Sequence, residues 1–187
     1  MKLKELFEKY GVIKTGHFQL TSGKHSSQYI NKDAIYSNPR LFKIIVARIG
    51  NEIGKYLDLF DIITGPAIAG AVLAAPISLQ FINKVFIYPE KIDSEMVFRR
   101  GYDRILKDKK VWIIEDIITT GGSIEKTIIA IEKCGGKVIG ISAIWDRRRS
   151  CVDGNIVLSL INEFVPSYYP NECPDCKVGK PLQNPKE

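Results

Sequence analysis

No apolar run in this 187-residue chain reaches the roughly 18 residues that a membrane-spanning helix needs. The first ten residues set Lys2, Lys4, Glu5, Glu8 and Lys9 around Leu3, Leu6 and Phe7. That is a short amphipathic helix of mixed charge, without the apolar centre of a secretory signal, and a cytoplasmic protein is the expectation. Only four cysteines occur, too few for a disulfide scaffold. Cys134 and Cys151 stand alone, whereas Cys173 and Cys176 form a C-x-x-C pair. Internal repeats and low-complexity linkers are missing too. So are two familiar phosphate-binding fingerprints: there is no G-x-G-x-x-G, and Gly65 and Gly70 have P-loop spacing but are followed by Ala71 instead of lysine.

What is present describes one well-buried globular domain, with 45% hydrophobic and 26% charged residues. The formal net charge of +6 suits an anionic partner. A multiply phosphorylated small molecule and a nucleic acid both qualify, and composition does not choose between them. Helical periodicity alternates along the chain with short continuous apolar runs. Phe42, Ile45, Val46, Ile49, Ile53 and Leu57 form one face of a helix over 39–57, opened by the capping pair Asn38-Pro39. Strands are expected at 61–64, 85–88, 111–114 and 138–145, with a fifth at 156–161. Helices are expected at 68–79 and 123–134, the second stopped by Gly135-Gly136. Continuous apolar strands imply a sheet covered on both faces, so the expected fold is α/β with about five parallel strands. Residues 166–187 differ in character, being proline-rich and without periodicity, and read as a tail on the domain or on a neighbouring subunit.

The chemistry concentrates in Val111-Trp112-Ile113-Ile114-Glu115-Asp116-Ile117-Ile118-Thr119-Thr120-Gly121-Gly122-Ser123. A buried strand delivers two adjacent carboxylates to its carboxyl end, where open α/β sheets bind ligands. A Thr/Gly/Ser turn then opens a helix, and its backbone N–H groups, hydroxyls and dipole favour an anion. Gly121 and Gly122 allow a ligand to approach the main chain.

This stretch resembles the PRPP-binding motif of type I phosphoribosyltransferases. The resemblance implies that fold, with a small amino-terminal hood, and a phosphoribosyltransferase domain over 1–170 followed by a C-x-x-C tail over 171–187. It implies that Glu115 and Asp116 hold the ribose diol, and that Thr119, Thr120, Gly121, Gly122 and Ser123 grip the 5-phosphate. Magnesium would be carried by PRPP itself, with no direct protein ligand.

Three further stretches resemble orotate phosphoribosyltransferases in particular. Phe18-Gln19-Leu20-Thr21-Ser22-Gly23-Lys24-His25-Ser26-Ser27-Gln28-Tyr29 follows that family's amino-terminal pattern, and implies orotate contacts from Ser22, Gly23, Lys24 and Tyr29 together with Thr119. On its own the same stretch reads equally as a surface hairpin. Ala143-Ile144-Trp145-Asp146-Arg147 matches a strand whose terminal arginine meets orotate, although Arg148 and Arg149 leave a basic surface turn as the neutral reading. Gly65, Pro66 and Ala67 stand in the pyrophosphate loop, with Ile68-Ala69 where the commonest members carry Tyr-Lys. In the loop over 90–101, Lys91 aligns with a family lysine but Glu90 replaces an arginine. Arg99 and Arg100 are the candidates to restore that charge, and loop closure is expected to exclude water from the reaction.

The resemblance thus implies transfer of phosphoribose from PRPP to orotate by a homodimer. Two rivals stay open, a phosphoribosyltransferase for another base and a PRPP-sensing regulator that binds nucleic acid. No helix-turn-helix or RNA motif supports the second. Cys173 and Cys176 supply two of the four ligands that a structural zinc needs, with Cys134 and Cys151 as conditional partners. A disulfide or two thiols would be equally simple.

Overall fold

A computed structural model of the chain describes residues 2–20, 22–148 and 155–184. Its contacts divide into two compact units, one made of residues 1–42 with 163–187 and the other of residues 43–162.

In the first unit, the expected amphipathic helix is α1, Leu3–Lys9, which buries Leu3, Leu6 and Phe7. An antiparallel hairpin follows, with β1 at Ile13–Gln19 and β2 at His25–Ile30, and its register shifts between Thr15 and Phe18. A short α2, Asp33–Tyr36, leads into α3, Pro39–Ile53, which runs on into the second unit. The Asn38 side chain caps α3 by accepting the Leu41 N–H at 3.0 Å, as the Asn-Pro signal implied.

The carboxyl-terminal tail, from Glu163 onward, belongs to this first unit. It lies along the hairpin. His25 and Tyr168 exchange both backbone hydrogen bonds, at 2.8 and 2.9 Å, and the Gln183 N–H donates to His17 O at 2.7 Å. The Ser26 hydroxyl donates to Pro166 O, and Lys4 pairs with Glu163 at 2.8 Å. A single turn, α7, spans Pro174–Lys177.

The second unit holds the sheet. The helix face read over 39–57 breaks at Ile53, and Gly54–Leu59 continues as a tighter 3₁₀ segment with a non-helical Tyr56. Then come β3 (Ile62–Thr64), α4 (Ala69–Ser78), β4 (Val85–Phe86), β5 (Glu90–Ile92), β6 (Glu95–Val97), α5 (Tyr102–Leu106), β7 (Lys110–Ile118), α6 (Gly122–Lys133), β8 (Lys137–Asp146) and β9 (Ile156–Asn162). Five strands form one parallel sheet in the order β4-β3-β7-β8-β9. β7 is central, and Val111, Trp112, Ile113 and Ile114 are all fully buried, as an unbroken apolar run requires. The Trp112 indole donates to Ser142 Oγ at 2.9 Å on the neighbouring β8. Its ring lies against Gly140, where a Cβ would sit 2.5 Å from a ring carbon. Among the described residues, no helix is long and apolar enough to cross a membrane.

Candidate functional site

β7 brings Glu115 and Asp116 to its carboxyl end, 7% and 3% exposed. Burial of two adjacent carboxylates is costly without donors, and the local chain supplies some. The Asp116 N–H donates to Glu115 Oε1 at 3.0 Å and the Ile117 N–H to Asp116 Oδ1 at 2.6 Å. The strand then gives way at Thr119 and Thr120, both exposed, and Gly121 turns the chain with φ +87°. α6 starts directly behind it with no side-chain cap, so its first N–H groups face the turn. A small polar concavity is walled by Glu115 and residues 117–124. Donors, hydroxyls and a helix dipole, with the Glu115 carboxylate in the same wall, suit a phosphorylated sugar.

The segment after β3 folds tightly against the same strand end. A Cβ at Gly70 would lie 2.6 Å from Ile114 O, 2.7 Å from Pro66 Cδ and 3.3 Å from Glu115 Oε1. Gly65 is closed in by the backbone of Gly70 and by Ile114 O. The Ala67–Ile68 peptide between them is cis. Gly65 and Gly70 thus pack backbone against backbone on the end of β7, with Gly70 next to Glu115. Thr64 Oγ1, buried at the head of this loop, has no hydrogen-bond partner among the described residues.

Residues 90–101, read from sequence as a loop, contain the β5–β6 hairpin. Met96 and Phe98 are buried in the same core cluster as Ile113, Ile118 and Ile124, and Lys126 of α6 donates to Ser94 O at 2.9 Å. Lys91 and Arg99 are exposed. Arg100 folds back onto Glu90, Nε to Oε1 at 2.9 Å. Glu90 thus holds one of the cations expected to compensate for it, through a solvent-screened surface pair.

At the end of β8, Arg148 departs from the neutral reading of a basic surface turn. Its guanidinium makes a bidentate pair with Asp146, at 2.9 and 2.7 Å, with the two side chains 12% and 7% exposed. Arg148 Nη1 also lies 3.5 Å from where a Cβ on Gly121 would be, beside the turn that opens α6. Nothing in an Arg-Arg-Arg run distinguishes its members; the alternation at the strand end does. Arg147 is half-buried, and burial pushes its guanidinium below the usual range. Arg149 lies outside the described residues.

Burial acts to raise the Asp146 carboxyl, but hydrogen bonds from the Arg148 side chain and backbone, with its charge, outweigh it and hold the group below the usual carboxylate range. A depressed folded value contributes stability above the unfolded value of about 3.9, and that contribution is lost as pH falls through the folded value. In Arg148→Met the carboxyl loses the partner that depresses it and is expected to rise, so the destabilisation relative to wild type should be full above the unfolded value and shrink as pH falls through the wild-type folded value. Melting temperatures measured between about pH 2 and 7 test this; profiles of the same shape would refute it.

Ser22, Gly23, Lys24 and Tyr29 all lie on the β1–β2 hairpin of the first unit. Ser22 and Gly23 are exposed in its turn, Lys24 stacks over the Tyr169 ring at 4.6 Å, and Tyr29 packs on Phe18. Thr21 lies outside the described residues. The hairpin reading and the resemblance therefore describe one and the same element.

Residues 31–168 match the family model of the phosphoribosyl transferase domain. The chain is 37% identical over 185 residues to the orotate phosphoribosyltransferase of Caldanaerobacter subterraneus subsp. tengcongensis, covering 98% of this chain and 95% of that one. It is 33% identical over 186 residues to that of Thermotoga maritima, covering 98% and 96%. The fold is similar to the crystal structure of orotate phosphoribosyltransferase from Aeropyrum pernix (TM-score 0.69, 24% identity, 86% of this chain and 93% of that one). It is also similar to adenine phosphoribosyl transferase from Trypanosoma brucei (TM-score 0.64, 18% identity, 87% and 80%), so the fold alone does not select a base.

Proposed function

The chain belongs to the phosphoribosyl transferase family, and from that premise we propose that it transfers phosphoribose from PRPP to orotate, giving orotidine 5′-phosphate and pyrophosphate. The observation that carries the donor half is a buried Glu115–Asp116 pair followed, three residues on, by the Thr/Gly turn that opens α6. The acceptor half rests on near-full-length similarity to orotate phosphoribosyltransferases.

In this reading Glu115 and Asp116 accept hydrogen bonds from the ribose hydroxyls, and residues 119–123 hold the 5-phosphate. The backbone of Gly65, Pro66 and Ala67 takes the pyrophosphate. A pyrimidine nitrogen of orotate attacks the anomeric carbon as the bond to pyrophosphate breaks, and positive charge develops on the sugar next to the two carboxylates. Lys91, Arg99 and an Arg100 released from Glu90 draw over the leaving group, while Arg147 meets the base; the hairpin residues Ser22, Gly23, Lys24 and Tyr29 are the further orotate ligands that the resemblance implies. Magnesium carried on the PRPP oxygens would offset the charge of the pyrophosphate. A site of carboxylates and backbone groups suits such a hard cation. Membership in this branch also leads us to propose a cytoplasmic homodimer.

A panel of bases with PRPP and magnesium tests the reading. Orotate is expected to be consumed with stoichiometric nucleotide formation, and adenine, hypoxanthine and uracil to remain. Turnover of another base without orotate would move the chain to a different branch of the family. Tight PRPP binding without turnover of any base would favour a PRPP sensor.

A further inference from the structure

We propose that His17, His25, Cys173 and Cys176 form a closed structural site for a tetrahedral, borderline-soft divalent cation, Zn²⁺, which staples the amino-terminal hairpin to the carboxyl-terminal tail. Cys134, the C-cap of α6, belongs to the second unit, Cys151 lies outside the described residues, and the C-x-x-C pair belongs to the first unit. It meets two histidines instead. One ligand atom from each of the four residues lies within 4.8 Å of all the others. His17, His25 and Cys173 are only 1%, 4% and 2% exposed, so the cluster is built into the interior of its unit.

The spacings fit a metal. Zn–N bonds near 2.0–2.1 Å and Zn–S bonds near 2.3 Å set tetrahedral edges of about 3.3 Å between two nitrogens and about 3.6 Å between nitrogen and sulfur. His17 Nε2 lies 3.1 Å from His25 Nδ1, 3.4 Å from Cys173 Sγ and 3.6 Å from Cys176 Sγ, and His25 Nδ1 lies 3.2 Å from Cys176 Sγ.

Hydrogen bonding alone serves this arrangement poorly. His17 Nδ1 lies 2.8 Å from Lys180 O, a carbonyl that can only accept, so Nδ1 carries the proton. A neutral ring then presents one lone pair, on Nε2, to three neighbours. One lone pair can take one good donor; a cation at the centre satisfies all four ligands. The bond to Lys180 O also fixes the tautomer and aims the ring, as outer partners of zinc-bound histidines do. Two thiolates with two imidazoles select zinc over harder cations, and four protein ligands leave no open position for catalysis.

Each half of the site is local. The C-x-x-C turn presents both sulfurs, Cys173 as the N-cap of α7 and Cys176 within it, and the hairpin presents one histidine from each strand. His17 and His25 also bracket residues 18–24, the segment that carries Ser22, Gly23 and Lys24. A metal here therefore clamps both ends of that segment. The effect on orotate rests on the proposed function, whereas metal binding does not.

The full-length protein, purified without chelator, is expected to hold about one zinc per chain by elemental analysis. Replacing zinc by Co²⁺ is expected to give the visible absorption of a tetrahedral site with thiolate charge transfer. Cys173→Ser/Cys176→Ser and His17→Gln should lose stoichiometric metal and melt at lower temperature, while Cys134→Ser keeps both. If the cysteine variants do not fold, the wild-type protein still decides, through its metal content and the protection of two thiols until chelator is added. Wild-type protein that takes up no Zn²⁺ or Co²⁺ when supplied, or whose Cys173 and Cys176 titrate as a disulfide, would overturn the site. Loss of metal that raises the KM for orotate but not for PRPP supports the clamp. Full metal occupancy without orotate turnover would leave the site standing and sink only the proposed acceptor.

Discussion

Asp116→Asn is expected to lower kcat/KM for PRPP by roughly ten- to a hundredfold while the protein stays folded. The substitution keeps size and shape, and an amide oxygen can still accept the Ile117 N–H that Asp116 Oδ1 accepts at 2.6 Å. What it removes is charge. A hydrogen bond to a charged group is worth about 1.5–3 kcal/mol, against about 0.5–1.5 for a neutral one, and the sugar's developing positive charge loses a neighbour as well. At 3% exposure little water can take over either role. Steady-state kinetics with PRPP varied, alongside a thermal melt, check both halves. Wild-type kcat/KM would remove Asp116 from the ribose contact.

Gly65→Ala should damage stability and donor use together. The added methyl is directed at the backbone of Gly70 and at Ile114 O, groups that cannot rotate aside as a side chain would. Overpacking of this kind costs about 1–3 kcal/mol. The loop must shift to make room, and with it the backbone proposed to take pyrophosphate, so KM for PRPP should rise several-fold. Gly54→Ala is the control, because its Cβ would meet only a Phe81 ring carbon at 3.7 Å. A Gly65→Ala protein with unchanged melting temperature and KM would show that the close packing around Gly65 is dispensable.

The two substitutions probe features that differ in how they can be read. The acidic pair and the turn behind it form one contiguous stretch, with strand, carboxylates, glycine at positive φ and helix start in fixed succession. Short-range chemistry dictates each step, so residue order suffices. The loop at Gly65 is less legible, because its glycines are required by contact with Ile114, nearly fifty residues away. Arg148 lies further still from sequence logic. Three consecutive arginines look alike, and only the end of β8 turns one of them onto Asp146 and toward Gly121. The hairpin inside 90–101 was missed for a related reason: its strands are three residues each and owe their place to Met96 and Phe98 in a core formed by other elements.

The C-x-x-C pair marks the limit most clearly. Local spacing announces two ligands, yet His17 and Cys176 are separated by 159 positions, and no pattern along the chain joins them. Sequence by itself determined the parallel α/β architecture, the order of the five sheet strands with the helices α3, α4 and α6, and the turn behind β7, because periodicity, capping and glycine conformations act over a few residues. Tertiary structure alone decided which cation Glu90 holds, which arginine is buried and which residues complete the cysteine pair. Those are matters of proximity between distant segments, set by how the strands pair and where the tail runs.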